Sequence, residues 1–182
     1  MSLRDDAAGA RLFVALWPPP AARRCLAGYR DRWHWPPAAR VVADRHLHAT
    51  LHFIGTFAIE RVAALGEQLG RVPVRNLTLH AQGAAIWRGG VAVLTLQGNC
   101  ALDALHEELG AALEAVGVAL DARPFAPHVT LARKAAHAQA PVDLPDLDWC
   151  ATGFVLAESL RGPPARYEVL TVWGAPGLPL PP

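Results

Sequence analysis

His48-Ala49-Thr50-Leu51 and His128-Val129-Thr130-Leu131 stand 80 residues apart in a chain of 182. Shifting the chain by that offset, without a gap, brings two further segments into line. The apolar run RLFVALW at residues 11–17 falls on residues 91–97, and a helical pattern from Ala21 falls on one from Ala101. Three elements in one order at one offset mark an internal repeat. Two related β-α-β lobes are therefore expected, packed about a pseudo-two-fold axis. The first covers about residues 11–90 and the second about 91–175, within a single domain spanning 1–182. Equivalent strands would face each other across a cleft.

Side chains alternate between the two faces of a strand. His48 and Thr50 therefore share one face, and Leu47, Ala49, Leu51 and Phe53 share the other. The apolar set belongs in the core, so the His/Thr face looks into the cleft. His128 and Thr130 repeat the arrangement opposite Val129 and Leu131. Strict alternation also puts His46 and His52 on the His48 face.

Two imidazoles and two hydroxyls around one small volume suit phosphoryl chemistry. Opening a phosphodiester needs a base for the attacking water and an acid for the leaving oxygen. In-line displacement puts them on opposite sides of phosphorus. Imidazole titrates near neutrality, so one ring can accept a proton while the other donates. The threonine hydroxyls can bond the non-bridging oxygens, and Arg133 can stabilise negative charge. A strained cyclic phosphate needs no metal. His46, His48 and His52 also allow a zinc reading. Only Asp44 lies beside them and the second repeat has no matching set, so neither metal nor cofactor is expected.

The rest of the chain reads coarsely. Prolines 18–20 close the first strand and open a helix carrying Ala22, Leu26, Tyr29 and Trp33. Residues 46–54 read as a strand, Ile59 to Leu69 as a helix, and residues 76–81 and 91–96 as strands. Asn99 caps a helix with a leucine stripe that Gly117 closes. Residues 128–132, 152–157 and 167–173 read as strands, and 134–148 as a loop. Tyr167 and Trp173 are expected on one face, with Tyr167 a candidate substrate contact. Trp35 and Trp87 are candidates for stacking on a base. His34, His80, His106 and His137 read as solvated.

The apolar fraction of 52% supports a core, and a net charge of +1 argues against coating nucleic acid electrostatically. No stretch approaches the roughly 18 apolar residues of a membrane span. The N-terminal residues lack the pattern of a signal peptide. Cys25, Cys100 and Cys150 form no metal or redox pair, and read as reduced, mostly buried thiols in the cytoplasm. A monomer without membrane attachment is expected.

HATLHFIG (residues 48–55) and PHVTLAR (127–133) resemble the paired His-x-Thr-x motifs of the two-histidine phosphoesterase superfamily. The closer likeness is to its bacterial and archaeal branch, the RNA 2',3'-cyclic phosphodiesterases, also called 2'-5' RNA ligases. RLFVALWPPP (11–20) resembles the opening strand of that branch, and SLRGPPARYEVLTVW (159–173) its closing segment. The resemblance implies a bilobal α+β fold, with antiparallel sheets lining a central cleft and helices outside. It implies hydrolysis of an RNA or nucleotide 2',3'-cyclic phosphate to a 2'-phosphomonoester, and reversible 2'-5' ligation where a 5'-hydroxyl takes the place of water. His48 would be the proton donor to the leaving 3' oxygen and His128 the acceptor from water. Thr50 and Thr130, with Arg133, would hold the phosphate. His46 and His52 depart from the family's pattern and are candidate substrate contacts. The alternative is an RNA-end binding module with little catalysis, which a turnover assay would separate from an enzyme.

Overall fold

Every second residue of the opening strand β1 (Gly9–Leu16) points to a different apolar layer. Leu12, Val14 and Leu16 enter the main core, while Phe13 and Ala15, with Trp17 just beyond the strand, join a second cluster with Val155 and Ala157. A strand buried on both faces reads as a continuous apolar run rather than an alternating one, as RLFVALW does. The computed structural model describes residues 9–160, 162 and 166–174. The expected closing segment therefore includes four residues, 161 and 163–165, outside the described set.

After the prolines come helix α1 (Pro20–Asp31), the two-residue strand β2 (Arg40–Val41) and strand β3 (Ala49–Ala58). Helix α2 (Val62–Leu69) leads to strands β4 (Leu77–Leu79), β5 (Ala81–Trp87) and β6 (Val91–Leu96). Helix α3 (Cys100–Ala115), strand β7 (His128–Arg133) and strands β8 (Trp149–Ala151), β9 (Gly153–Leu160) and β10 (Arg166–Gly174) follow among the described residues. Asn99 caps α3 by accepting from the Leu102 amide at 2.9 Å, a contact worth about 1 kcal/mol. Leu102, Leu105, Leu109 and Leu113 bury its inner stripe.

The main sheet runs β10-β9-β1-β3-β7-β6-β5 with antiparallel neighbours, and β4 and β8 form a separate pair. That order crosses the expected boundary between residues 90 and 91, because β5 pairs with β6 of the second repeat and β9 with β1 of the first. β9-β1-β3 and β5-β6-β7 are mirrored triplets meeting at β3 and β7. The two triplets touch through one register pair, Ala49 with Val129. Farther along β7 its free edge is taken by β2, which pairs Arg40 with Arg133 and Val41 with Ala132. The α+β class and the antiparallel sheets are as the sequence led one to expect.

Bulges break the alternation. Ala15 pairs with Thr50 but Val14 pairs with His52, so Leu51 is an extra residue. Val93 pairs with Thr130 but Ala92 pairs with Ala132, so Leu131 is extra in the same way. One added residue flips every later side chain to the other face. His52 therefore turns towards the helices, correcting the expectation that it shares the His48 face. Phe53 turns the other way and is 53% exposed, not buried in the core. His46 is not on the strand at all: it ends a single 3-10 turn, Asp44–His46.

Three strands escape a local reading: the two-residue β2, β5 and β8. The segment AQGAAIW of β5 has little β propensity of its own. It is held by the hairpin with β6, whose Gly90 has φ 73° and no room for a Cβ, the Ala136 amide lying 3.0 Å from that position. β8 is three residues long and exists through its pairing with β4. A bulge at Leu170 also separates Tyr167, on the Phe13 side, from Trp173, which stacks on Phe154. The thiols are unpaired, but Cys100 and Cys150 are exposed rather than buried.

Candidate active site

Val129 and Ala49 are buried in the main core. Their neighbours in sequence therefore point to the opposite side of the sheet. The register at that pair sets Thr130 beside His48 and His128 beside Thr50. The two histidines then lie on a diagonal, roughly 7–8 Å apart in a regular ladder. All four side chains are half-buried. The expected constellation of His48, Thr50, His128 and Thr130 thus meets at the junction of the two halves.

The two rings are held alike. His48 Nδ1 donates to the His46 carbonyl at 2.7 Å, and His128 Nδ1 donates to the Ala126 carbonyl, also at 2.7 Å. Each acceptor lies two residues upstream. A carbonyl can only accept, so Nδ1 carries hydrogen and Nε2 is the nitrogen left for chemistry.

Aromatic rings wall the site. His48 stacks on Trp17 at 5.1 Å between centroids, lies 5.0 Å from Phe13, and meets the edge of Tyr167 at 5.2 Å. Trp87 lies 4.3 Å from His128. Burial pushes the His48 imidazole down to about 4, and the charges of His128, His46 and Arg133 add to the effect. The His46 carbonyl opposes it. His128 is also lowered, by burial first, with Arg133 contributing. Arg133 is thus close enough to act on both rings. The bulge at Leu131 is what turns it to their side.

The family model for the 2'-5' RNA ligase superfamily matches residues 17–165. The chain belongs to that superfamily. Within it, the Escherichia coli (strain K12) RNA 2',3'-cyclic phosphodiesterase is 34% identical over 169 residues, covering 90% of this chain and 95% of its own. The crystal structure of E. coli LigT complexed with 3'-AMP superposes with a TM-score of 0.80 at 31% identity, covering 92% of this chain and 98% of that one. A crystal structure from Thermus thermophilus gives 0.76 at 28% identity over 90% and 97%.

Other sequence candidates of this superfamily member take different places. His46 is buried, rests against the edge of Tyr167 at 5.0 Å, and has no protein hydrogen bond on either ring nitrogen among the described residues. Burial lowers its pKa, with Arg45 adding. Tyr167 therefore touches both His46 and His48. His52 lies on the far side of the sheet, its Nε2 donating to the His106 carbonyl at 2.8 Å. His106 is not solvated: it is stacked between His52 at 4.0 Å and Phe125 at 3.9 Å. His46, His48 and His52 therefore do not converge. Among the described residues no group of three or more metal-type side chains does. Trp35 stacks on Trp33 and donates to the Arg30 carbonyl at 3.2 Å.

Alternation alone missed Phe53. It stands on the site face with the Arg11 guanidinium 5.1 Å above its ring. The signal was the bulge, which no local feature of the sequence announces.

Proposed function

We propose that this chain hydrolyses RNA 2',3'-cyclic phosphate ends to 2'-phosphomonoesters. The observation that carries the reading is the matched pair of imidazoles, each with Nδ1 tied to a carbonyl two residues upstream and Nε2 free on the same face. In the reaction, His128 Nε2 takes a proton from water as the water oxygen bonds to phosphorus. The P–O3' bond breaks in line, and His48 donates a proton to the 3' oxygen. The phosphate stays on the 2' oxygen. Thr50 and Thr130 bond the non-bridging oxygens, and Arg133 offsets the charge that builds on them.

Held down to about 4 by burial, His48 is neutral in the free protein, and its Nε2 has no proton to give. The donor role follows from the substrate's charge: an anion beside a buried imidazole favours its protonated form. Substrate binding therefore brings a proton with it. A 5'-hydroxyl in place of water runs the same steps towards a 2'-5' linkage.

Phe53 with Arg11 offers a stacking surface for the terminal base. Both halves act as one bilobal domain, monomeric and without a bound metal or cofactor, in the reducing cytoplasm. Among the described residues no helix is long and apolar enough to cross a membrane.

Incubation with a nucleoside 2',3'-cyclic phosphate, followed by phosphorus NMR, tests the reading. The expected product is the 2'-phosphate alone. A 3'-phosphate, or no turnover, would contradict it.

A further inference from the structure

Arg40 and Arg133 are directly opposed in the pairing of β2 with β7. Opposed residues of an antiparallel pair share a face, with Cα atoms about 4.5–5.5 Å apart. Arg133 faces the imidazoles, so Arg40 starts from the same face, one strand farther from β6. Both arginines are exposed, and neither joins a salt bridge or side-chain hydrogen bond among the described residues. The nearby carboxylates of Asp31 and Asp44 are engaged by Arg30 at 2.7 Å each. Like charges set directly opposite each other repel. The arrangement is therefore unfavourable in the free protein, and anions relieve it.

One phosphate does not use it fully. A 2',3'-cyclic phosphate carries a single negative charge, which Thr50, Thr130 and Arg133 already meet. An RNA end differs from a mononucleotide in having a further phosphodiester on the 5' side of the terminal ribose. Two guanidiniums rooted side by side suit two phosphates of one strand.

We propose that Arg40 is a specificity-determining residue that binds the phosphodiester 5' of the terminal nucleotide, selecting RNA ends over mononucleotide cyclic phosphates. This rests on the hydrolase reading above and names the part of the substrate that reading leaves open.

The test compares kcat/KM for a nucleoside 2',3'-cyclic phosphate with that for a dinucleotide bearing the same cyclic end, in the wild type and in Arg40→Gln. The wild type should prefer the dinucleotide. In Arg40→Gln the ratio should fall roughly 10–100-fold, the worth of one charged hydrogen bond. The change should appear in KM, with a weaker salt dependence by about 0.7 in the log–log slope. Arg40→Lys should recover part of the preference. A dinucleotide with a neutral methylphosphonate link should lose the preference in the wild type. An unchanged ratio, including one in which both substrates suffer equally, overturns the proposal. Absence of turnover on every cyclic phosphate in the wild type would instead remove the hydrolase reading on which it stands.

Discussion

Leu51 and Leu131 are the extra residues of two bulges that lie 80 positions apart, one in each half of the sheet. Each follows its His-x-Thr by one position. Each flips the strand after the site residues have been presented, so that His52 and Ala132 turn to the helices while Phe53 and Arg133 turn to the site. The bulges thus decide what accompanies each histidine: an exposed aromatic ring in one half, a guanidinium in the other.

The phosphate ligands should contribute less than the proton carriers. Thr50→Ala and Thr130→Ala each remove one hydrogen bond to an anionic oxygen, worth roughly 1.5–3 kcal/mol. Steady-state kinetics should show losses of about 10–150-fold in kcat/KM. His48→Ala and His128→Ala should each lose about 10²–10⁴-fold. The double variant should lose far less than the product, since partners in one proton relay are not additive.

Activity should survive exhaustive chelation. His52 lies across the sheet from His48, His46 ends a turn outside the strand, and Asp44 is held by Arg30. Turnover lost in EDTA and restored by zinc or manganese would place a metal in the reaction.

The pH dependence should differ between the two kinetic constants. kcat/KM reports the free enzyme, where burial holds both imidazoles below their ordinary range and His48 near 4. Its bell should therefore peak below pH 6.5. A bound anion raises both ionisations, so the kcat bell should lie at higher pH. Each limb belongs to the coupled pair. Coincident profiles for the two constants would count against the electrostatic coupling.

The stack of His52, His106 and Phe125 should make the fold sensitive to acid. Burial lowers both imidazoles, with His106 near 4; the charge of His52 adds to the lowering of His106 and Asp103 opposes it. A histidine whose folded pKa lies below its unfolded value favours folding above the unfolded pKa. That contribution fades as pH falls from 6.5 towards 4. Tm should drop across that window, and His106→Phe, which keeps the stacking surface, should flatten the drop.

Much of this was legible beforehand because it depends on short-range rules. The His-x-Thr spacing, the proline-opened α1 and the Asn99 cap each follow from a few neighbouring residues, and the 80-residue offset follows from laying the sequence on itself. What escaped depends on pairing with distant strands. Nothing in Leu51-His52-Phe53 distinguishes a bulge from regular alternation; the register with Val14 and Ala15 makes it. The same holds for β5, whose alanines and glycine become a strand only against β6, and for Tyr167 and Trp173, separated by the bulge at Leu170. The His46 and Ala126 carbonyls that orient the two imidazoles are backbone atoms, and no residue type announces them.

The assignment of proton donor and acceptor is tested most directly by a substrate with a very good leaving group, such as a nitrophenyl phosphodiester in place of the 3' oxygen. A leaving group of that kind needs no general acid. kcat/KM measured for His48→Ala should recover to near the wild-type value on this substrate, while His128→Ala stays reduced by about 10²–10⁴-fold. Recovery of His128→Ala alone would reverse the two roles, and equal recovery of both variants would contradict the division of labour between them.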